Sequence, residues 1–147
     1  MRLGTGTFDA RPGITFKKYW DMSSFGSQFQ TDLPIGRNFD GYSVGNLYRL
    51  NFWYSWLLDA EKSFAVTYRV ENLWRENFDG FDPDLGANNT VISTARPDMR
   101  GGEWLNFGYG ATVQLRHGHL LNLEAVHPIY QDVEGIQLEQ DWQLYVS

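Results

Sequence analysis

At 147 residues the chain is long enough for one domain with a sizeable core. A formal net charge of −6 and a pI near 4.9 exclude the cationic stripe that nucleic-acid binding requires. Cysteine is absent, which excludes a disulfide framework, a thiolate metal site and a cysteine nucleophile, and no apolar run approaches the ~18 residues of a transmembrane helix.

Seven strands are predicted in chain order, at about 8–20, 24–34, 46–58, 63–75, 103–116, 119–130 and 137–147, from period-2 alternation and β-forming composition. In the third, Tyr48, Leu50, Phe52, Tyr54, Trp56 and Leu58 share one face, and Arg49, Asn51, Trp53, Ser55 and Leu57 share the other. In the fourth, Phe64, Val66, Tyr68, Val70 and Trp74 alternate with Ala65, Thr67, Arg69, Glu71, Leu73 and Arg75, with Asn72 the one polar interruption of the apolar side. In the fifth, Leu105, Phe107, Tyr109, Ala111 and Val113 alternate with Trp104, Asn106, Gly108, Gly110 and Thr112. Aromatic residues make up 16% of the chain and glycines number fifteen, which also favours an all-β fold.

Several of these strands reach or exceed the ~9–11 residues of a tilted transmembrane strand, whereas strands of soluble domains centre near five or six. The connections alternate short and long: Asp21–Ser23, then 35–45, Asp59–Lys62, 76–102, the turn Arg116-His117-Gly118, and 131–136. Outer-membrane barrels alternate in this way, with short periplasmic turns and longer outer loops. Tyr19, Trp20 and Trp56 fall near the short-turn ends and Trp74, Trp104 and Tyr130 near the long-loop ends, the placement of two aromatic girdles. The expected fold is therefore an antiparallel up-and-down transmembrane β-barrel, with 1–147 forming a single domain. The mean hydropathy of −0.43 is compatible, because only alternate residues of such a barrel face lipid. A soluble β-sandwich or lipocalin-like binding module is the rival; it would bury Phe52, Tyr68 and Phe107 together and leave Arg69 and Glu71 in solvent.

The opening MRLGTGTFDA has no apolar h-region. Seven strands ending on the periplasmic side place residue 1 on the outer side, so parity predicts an N-terminally truncated barrel; an eighth strand within 1–10 or 86–102 is the alternative.

The stretch LGTGTFDARPGITF resembles the LGSGT-x-D-x-x-PG-[LI]-T-[YF] opening of an outer-membrane transporter family named for a MetA pathway of phenol degradation. Gly41-Tyr42-Ser43-Val44-Gly45-Asn46 resembles that family's GYRLG-[ND], Asp79-Gly80-Phe81-Asp82-Pro83 its DG-x-DP, 94–102 its TADP-x-x-RGG, and 128–139 its P-[LV]-YQ-x-[LV]-xG-x-QLE, followed by a D-W-x-L strand at Asp141-Trp142-Gln143-Leu144. Arg96 stands where the family has an acidic residue. The resemblance implies a bacterial outer-membrane barrel and transporter, not a substrate. Alternation, girdles and resemblance together give the expected function: a channel or transporter component for small, aromatic or hydrophobic, solutes, with outer-membrane lipid as partner and no cofactor.

The candidate lumen-lining residues are Arg49, Asn51, Arg69, Glu71, Arg75, Glu124, Glu139 and Asp141. Their charge belongs on the inner side, because Arg or Lys at the lipid midplane costs about 2–4 kcal/mol. An acid/base pair drawn from Glu71, Glu124, Glu139 and Asp141 would be the enzyme reading. No serine has a nucleophile-elbow context and Gly4-Thr5-Gly6 is no phosphate loop, so no catalytic role is expected. Asp79, Asp82 and Asp84 form an acidic cluster in the longest loop, read as turn chemistry rather than a calcium site. His117-Gly118-His119 reads as a turn, and His127 as a residue of the apolar side near the outer boundary, where Pro128 ends the ladder.

Overall fold

The computed structural model describes residues 8–37, 42–59, 61, 63–80, 100–115, 119–133 and 139–147. These residues are all-β and antiparallel. The strands are β1 (Phe8–Ala10), β2 (Gly13–Tyr19), β3 (Ser23–Ile35), β4 (Tyr42–Ser43), β5 (Leu47–Leu57), β6 (Phe64–Arg75), β7 (Asp79–Gly80), β8 (Gly102–Gln114), β9 (Leu120–Val133) and β10 (Gln143–Val146). Eight form one sheet in the order β1-β3-β5-β6-β8-β9-β10, with β2 also on β3; β4 and β7 form a separate pair.

β1 and β2 are one strand interrupted. Phe8↔Ile35 and Gly13↔Gln30 belong to a single register on β3. The break falls at Arg11-Pro12, because proline has no N–H for the ladder, yet the Pro12 carbonyl still accepts the Thr31 N–H at 3.0 Å. The sheet is thus an up-and-down meander of seven rungs, at the positions expected from alternation. The last is shorter: β10 covers four residues, and 134–138 lie outside the described residues.

The turns explain the meander. Between β2 and β3 the Trp20 N–H reaches the Ser23 carbonyl at 2.8 Å. Between β5 and β6 the Asp59 carboxylate accepts the backbone N–H groups of Ser63 at 2.8 Å and Phe64 at 3.1 Å, and the Ser63 hydroxyl. Between β8 and β9 the Leu115 N–H meets the His119 carbonyl at 2.7 Å, with 116–118 outside the described residues. The long connections meet at the opposite end. There β4 pairs β7, the Glu76 N–H donates to the Asn46 carbonyl at 2.9 Å, and the Glu76 carboxylate accepts the Asn46 side-chain amide at 2.8 Å and the Tyr48 hydroxyl at 3.3 Å.

The Ser63 hydroxyl, more than the Phe64 N–H, holds the Asp59 carboxyl below its ordinary value of 3.8, against a smaller opposing effect of burial. A carboxyl depressed on folding stabilises the fold above its unfolded pKa and loses that contribution as pH falls through the lower, folded value. Asp59→Ala is therefore expected to lower the urea midpoint at pH 7, with the gap to the parent chain shrinking below about pH 4. A gap independent of pH would contradict this role.

Register sorts the side chains into rows across the sheet. One face carries Phe25, Tyr54, Tyr68, Tyr109, Ala125 and Leu144 in one row, and Phe52, Val70, Phe107 and His127 in the next. The opposite face carries Gly26, Trp53, Arg69, Gly108, Val126 and Gln143, then Gln28, Asn51, Glu71 and Asn106. Burial follows these faces in the reverse of the usual sense. Phe52 is 40% and Tyr68 49% exposed, while on the polar face Asn51 is 8% and Asn106 7% exposed. Among the described residues the one buried apolar side chain is Val126, and it too is on the polar face. A soluble domain buries its greasy side; this sheet presents it.

One feature departs from expectation. Asn106 pairs Pro128 and Leu105 pairs Tyr130, so Ile129 is the extra residue of a β-bulge. The bulge absorbs the missing N–H of Pro128 and the ladder continues to Val133. His127 is accordingly not at the boundary: it sits mid-sheet opposite Phe107, on the apolar side as its parity requires. The sheet is open. The first and last rungs do not pair, and with seven rungs counted from edge to edge both edge strands run from the long-loop end to the short-turn end.

Candidate functional site

The polar face is concave. A cavity of about 420 Å³ is lined by Arg49 of β5, Arg69 and Glu71 of β6, Asn106 of β8, Glu124 of β9 and Gln143 of β10. In a flat sheet the outermost of those five strands would stand about 19 Å apart, too far to enclose one space. A second cavity, of about 290 Å³, shares Arg69, Glu124 and Tyr145 and extends toward Trp53, Thr112 and Asn122. The two form one continuous trough.

Its floor is an ion-pair ladder. Arg49 Nε lies 3.5 Å from Glu71, Arg69 Nη1 3.6 Å from the other oxygen of Glu71, and Arg69 Nε 2.9 Å from Glu124. Arg69 and Glu124 are on β6 and β9, with β8 between them. Gly108 makes that reach possible. A Cβ there would lie 3.0 Å from Glu124 Oε1 and 3.5 Å from Arg69 Nε, in the corridor of the pair. Gly26 plays the same part for Trp53, whose indole lies flat over the position a Cβ would take, at 2.1 Å. The Lys17 ammonium stands 5.8 Å from that ring, so the indole bridges β5 to β2.

The ladder is only part of the set expected from sequence. Arg49, Asn51, Arg69, Glu71 and Glu124 are brought together. Arg75 shares the polar face but sits at the long-loop end, in a separate pocket with Asp9, Arg11 and Asp32, where Arg11 pairs Asp32 at 3.3 Å. Glu139 and Asp141 do not join: both are exposed and precede β10, and Asp141 accepts the N–H of Trp142. That segment is held to β9 by Gln131, whose side-chain amide exchanges two hydrogen bonds with the Gln140 backbone at 2.9 and 2.8 Å. Asp79 pairs Arg37 at 3.1 Å; Asp82 and Asp84 lie outside the described residues. Asn106, Gln143 and Tyr145 line the trough as well. Strand parity identifies their face, but the curl that brings β10 near β6 has no local signal.

The aromatic set divides by face. Trp56, at the short-turn end, and Trp74 and Tyr130, at the long-loop end, are exposed on the apolar side, and Trp20 extends beyond β2. Tyr19 and Trp104 are on the polar side, by their pairing with Ser24 and Leu73. Across the four rows from Leu50 to Trp56 the apolar face carries one formal charge among the described residues, Lys18, whose ammonium lies 5.2 Å from the Trp20 ring at the strand end. Trp142 stacks on His127 at 4.6 Å on that same face.

No protein-family model matches the chain, and no curated protein matches it. The functional reading therefore rests on the residues and their geometry.

Proposed function

We propose that the chain forms a wall of a bacterial outer-membrane β-barrel, with its apolar face in lipid and the charged trough lining a path for small solutes. The observation that carries this reading is the inverted burial: exposed aromatic rows on one side, and on the other a half-buried ion-pair ladder flanked by the buried Asn51 and Asn106. A continuous apolar face of this size would be an aggregation surface in water, and hydrocarbon is the environment that removes its cost. Dimensions agree. The 11 residues of β5 extend about 36 Å, and tilted about 45° they span about 25 Å, the height of the apolar band of outer-membrane barrels. Trp56 and Trp74 lie toward its two ends on the apolar face, as rings near headgroup level do. The resemblance to outer-membrane transporters points the same way. Because both free edges run in one direction, all-antiparallel closure takes an odd number of further strands, which fits a wall belonging to a larger barrel.

Insertion into liposomes made with brominated acyl chains tests the reading. Fluorescence of chains retaining only Trp56 or only Trp74 is expected to be quenched, and that of chains retaining only Trp53 or only Trp104 to be spared. A chain that stays in the aqueous phase, or equal quenching at all four positions, would overturn the proposal. The transport half is tested separately by solute efflux from those liposomes, where a sealed membrane in every condition counts against a channel.

A further inference from the structure

The trough's face holds two buried acceptors without a donor among the described residues, and one of them, Asn106, lines the larger cavity. Asn51 and Asn106 flank Glu71 in one row, on the strands either side of it. Both side chains are more than nine-tenths buried, and among the described residues neither Oδ1 accepts a hydrogen bond. A buried carbonyl oxygen without a donor is unfavourable, so this row is built for a group that carries O–H or N–H. The charges beside it point to the same class. Arg49, Glu71, Arg69 and Glu124 alternate in sign and compensate one another within 3.6 Å. An ion entering the trough would have to break a pair or remain uncompensated in a confined space, and either sign meets that penalty. The remaining lining, including Thr67, Thr112, Asn122, Gln143 and Ser147, offers neutral donors and acceptors.

We infer that the row of Asn51 and Asn106 is a binding site for small uncharged solutes bearing several hydroxyl groups, held by amide hydrogen bonds beside a self-neutralised ion-pair ladder. The inference rests on the trough being the solute path, and it narrows the solute from the aromatic or hydrophobic class toward neutral polyols. At about 420 Å³ the Asn106 end of the trough has the volume of a small-molecule site.

The test is a titration of the detergent-solubilised, 15N-labelled full chain, following side-chain amide resonances by NMR. Glucose is expected to shift the Asn106 and Asn51 amides along a saturable curve in the millimolar range. Sodium acetate and tetramethylammonium chloride are expected to give no saturable shift. Asn106→Ala should weaken glucose binding fivefold or more, and Gln143→Leu, at a position without a buried orphan atom, about twofold. Charged probes binding as well as glucose, or glucose binding unchanged in Asn106→Ala, would overturn the inference. If Asn106→Ala fails to fold, Asn51→Ala carries the same expectation. Saturable binding in detergent with no efflux from liposomes would remove the channel reading and leave this site standing, whereas efflux without saturable binding would do the reverse.

Discussion

Phe107→Arg is expected to abolish insertion into lipid, while Thr67→Arg leaves it largely intact. Phe107 sits in a middle row of the apolar face, between Val70 and His127 on the neighbouring strands. In the orientation proposed above, a guanidinium there would lie near the bilayer midplane, at a cost of about 2–4 kcal/mol, and a marginally stable wall has little reserve against that. Thr67 points the other way, toward Ser55 at 2.8 Å and the polar trough. Val70→Arg, in the same row as Phe107 on the neighbouring strand, should behave like Phe107→Arg. Measured as the fraction of chain resisting alkaline extraction from liposomes, the two classes should separate clearly. Equal tolerance at Phe107, Val70 and Thr67 would contradict the assignment of faces.

The second large effect belongs to Gly45. At the base of the long-loop end the backbone of 45–46 crosses that of 76–77 so closely that a Cβ on Gly45 would stand 1.9 Å from the Glu76 carbonyl oxygen and 2.6 Å from that of Asn77. Those atoms are main chain and cannot rotate aside. Gly45→Ala must separate the two segments, breaking the 2.9 Å bond from the Glu76 N–H to Asn46 and the side-chain bonds that Glu76 receives from Asn46 and Tyr48. A loss of about 1–3 kcal/mol, the usual range for overpacking, is expected in the denaturation midpoint. Gly36→Ala is the control. Its φ of +87° makes it costly for a backbone reason, but among the described residues no atom lies within 4 Å of the added Cβ, so it should destabilise without releasing the 46–76 contact, which amide exchange at Glu76 would report. A Gly45→Ala chain with unchanged midpoint and exchange would refute the close approach.

Much of the architecture was legible in the residues because strand formation and facing are local. Tyr48 through Leu58 alternates with period two, and pleating sends alternate side chains to opposite faces whatever the rest of the chain does. The expected rungs at 46–58, 63–75 and 103–116 correspond to β5, β6 and β8 nearly residue for residue. Pro128 misled for an equally local reason. A proline marks a missing donor, but whether the ladder stops or bulges depends on the partner strand, and here β8 continues past it. Glu139 and Asp141 fall on the polar face of the strand expected over 137–147, yet that strand begins only at Gln143.

What the amino acids determined by themselves is the two-sidedness of each strand: Phe52, Tyr68 and Phe107 to one face, Arg49, Arg69 and Glu71 to the other. Only the tertiary structure decided which face is concave, and so which side chains are shielded and which exposed. It also decided that Arg69 reaches Glu124 over Gly108 and that Asn51 and Asn106 close on Glu71. The physical reason is range. Alternation is set by each residue's own backbone geometry, whereas curvature and cross-strand pairing arise from register summed over strands far apart in sequence, which no local pattern encodes.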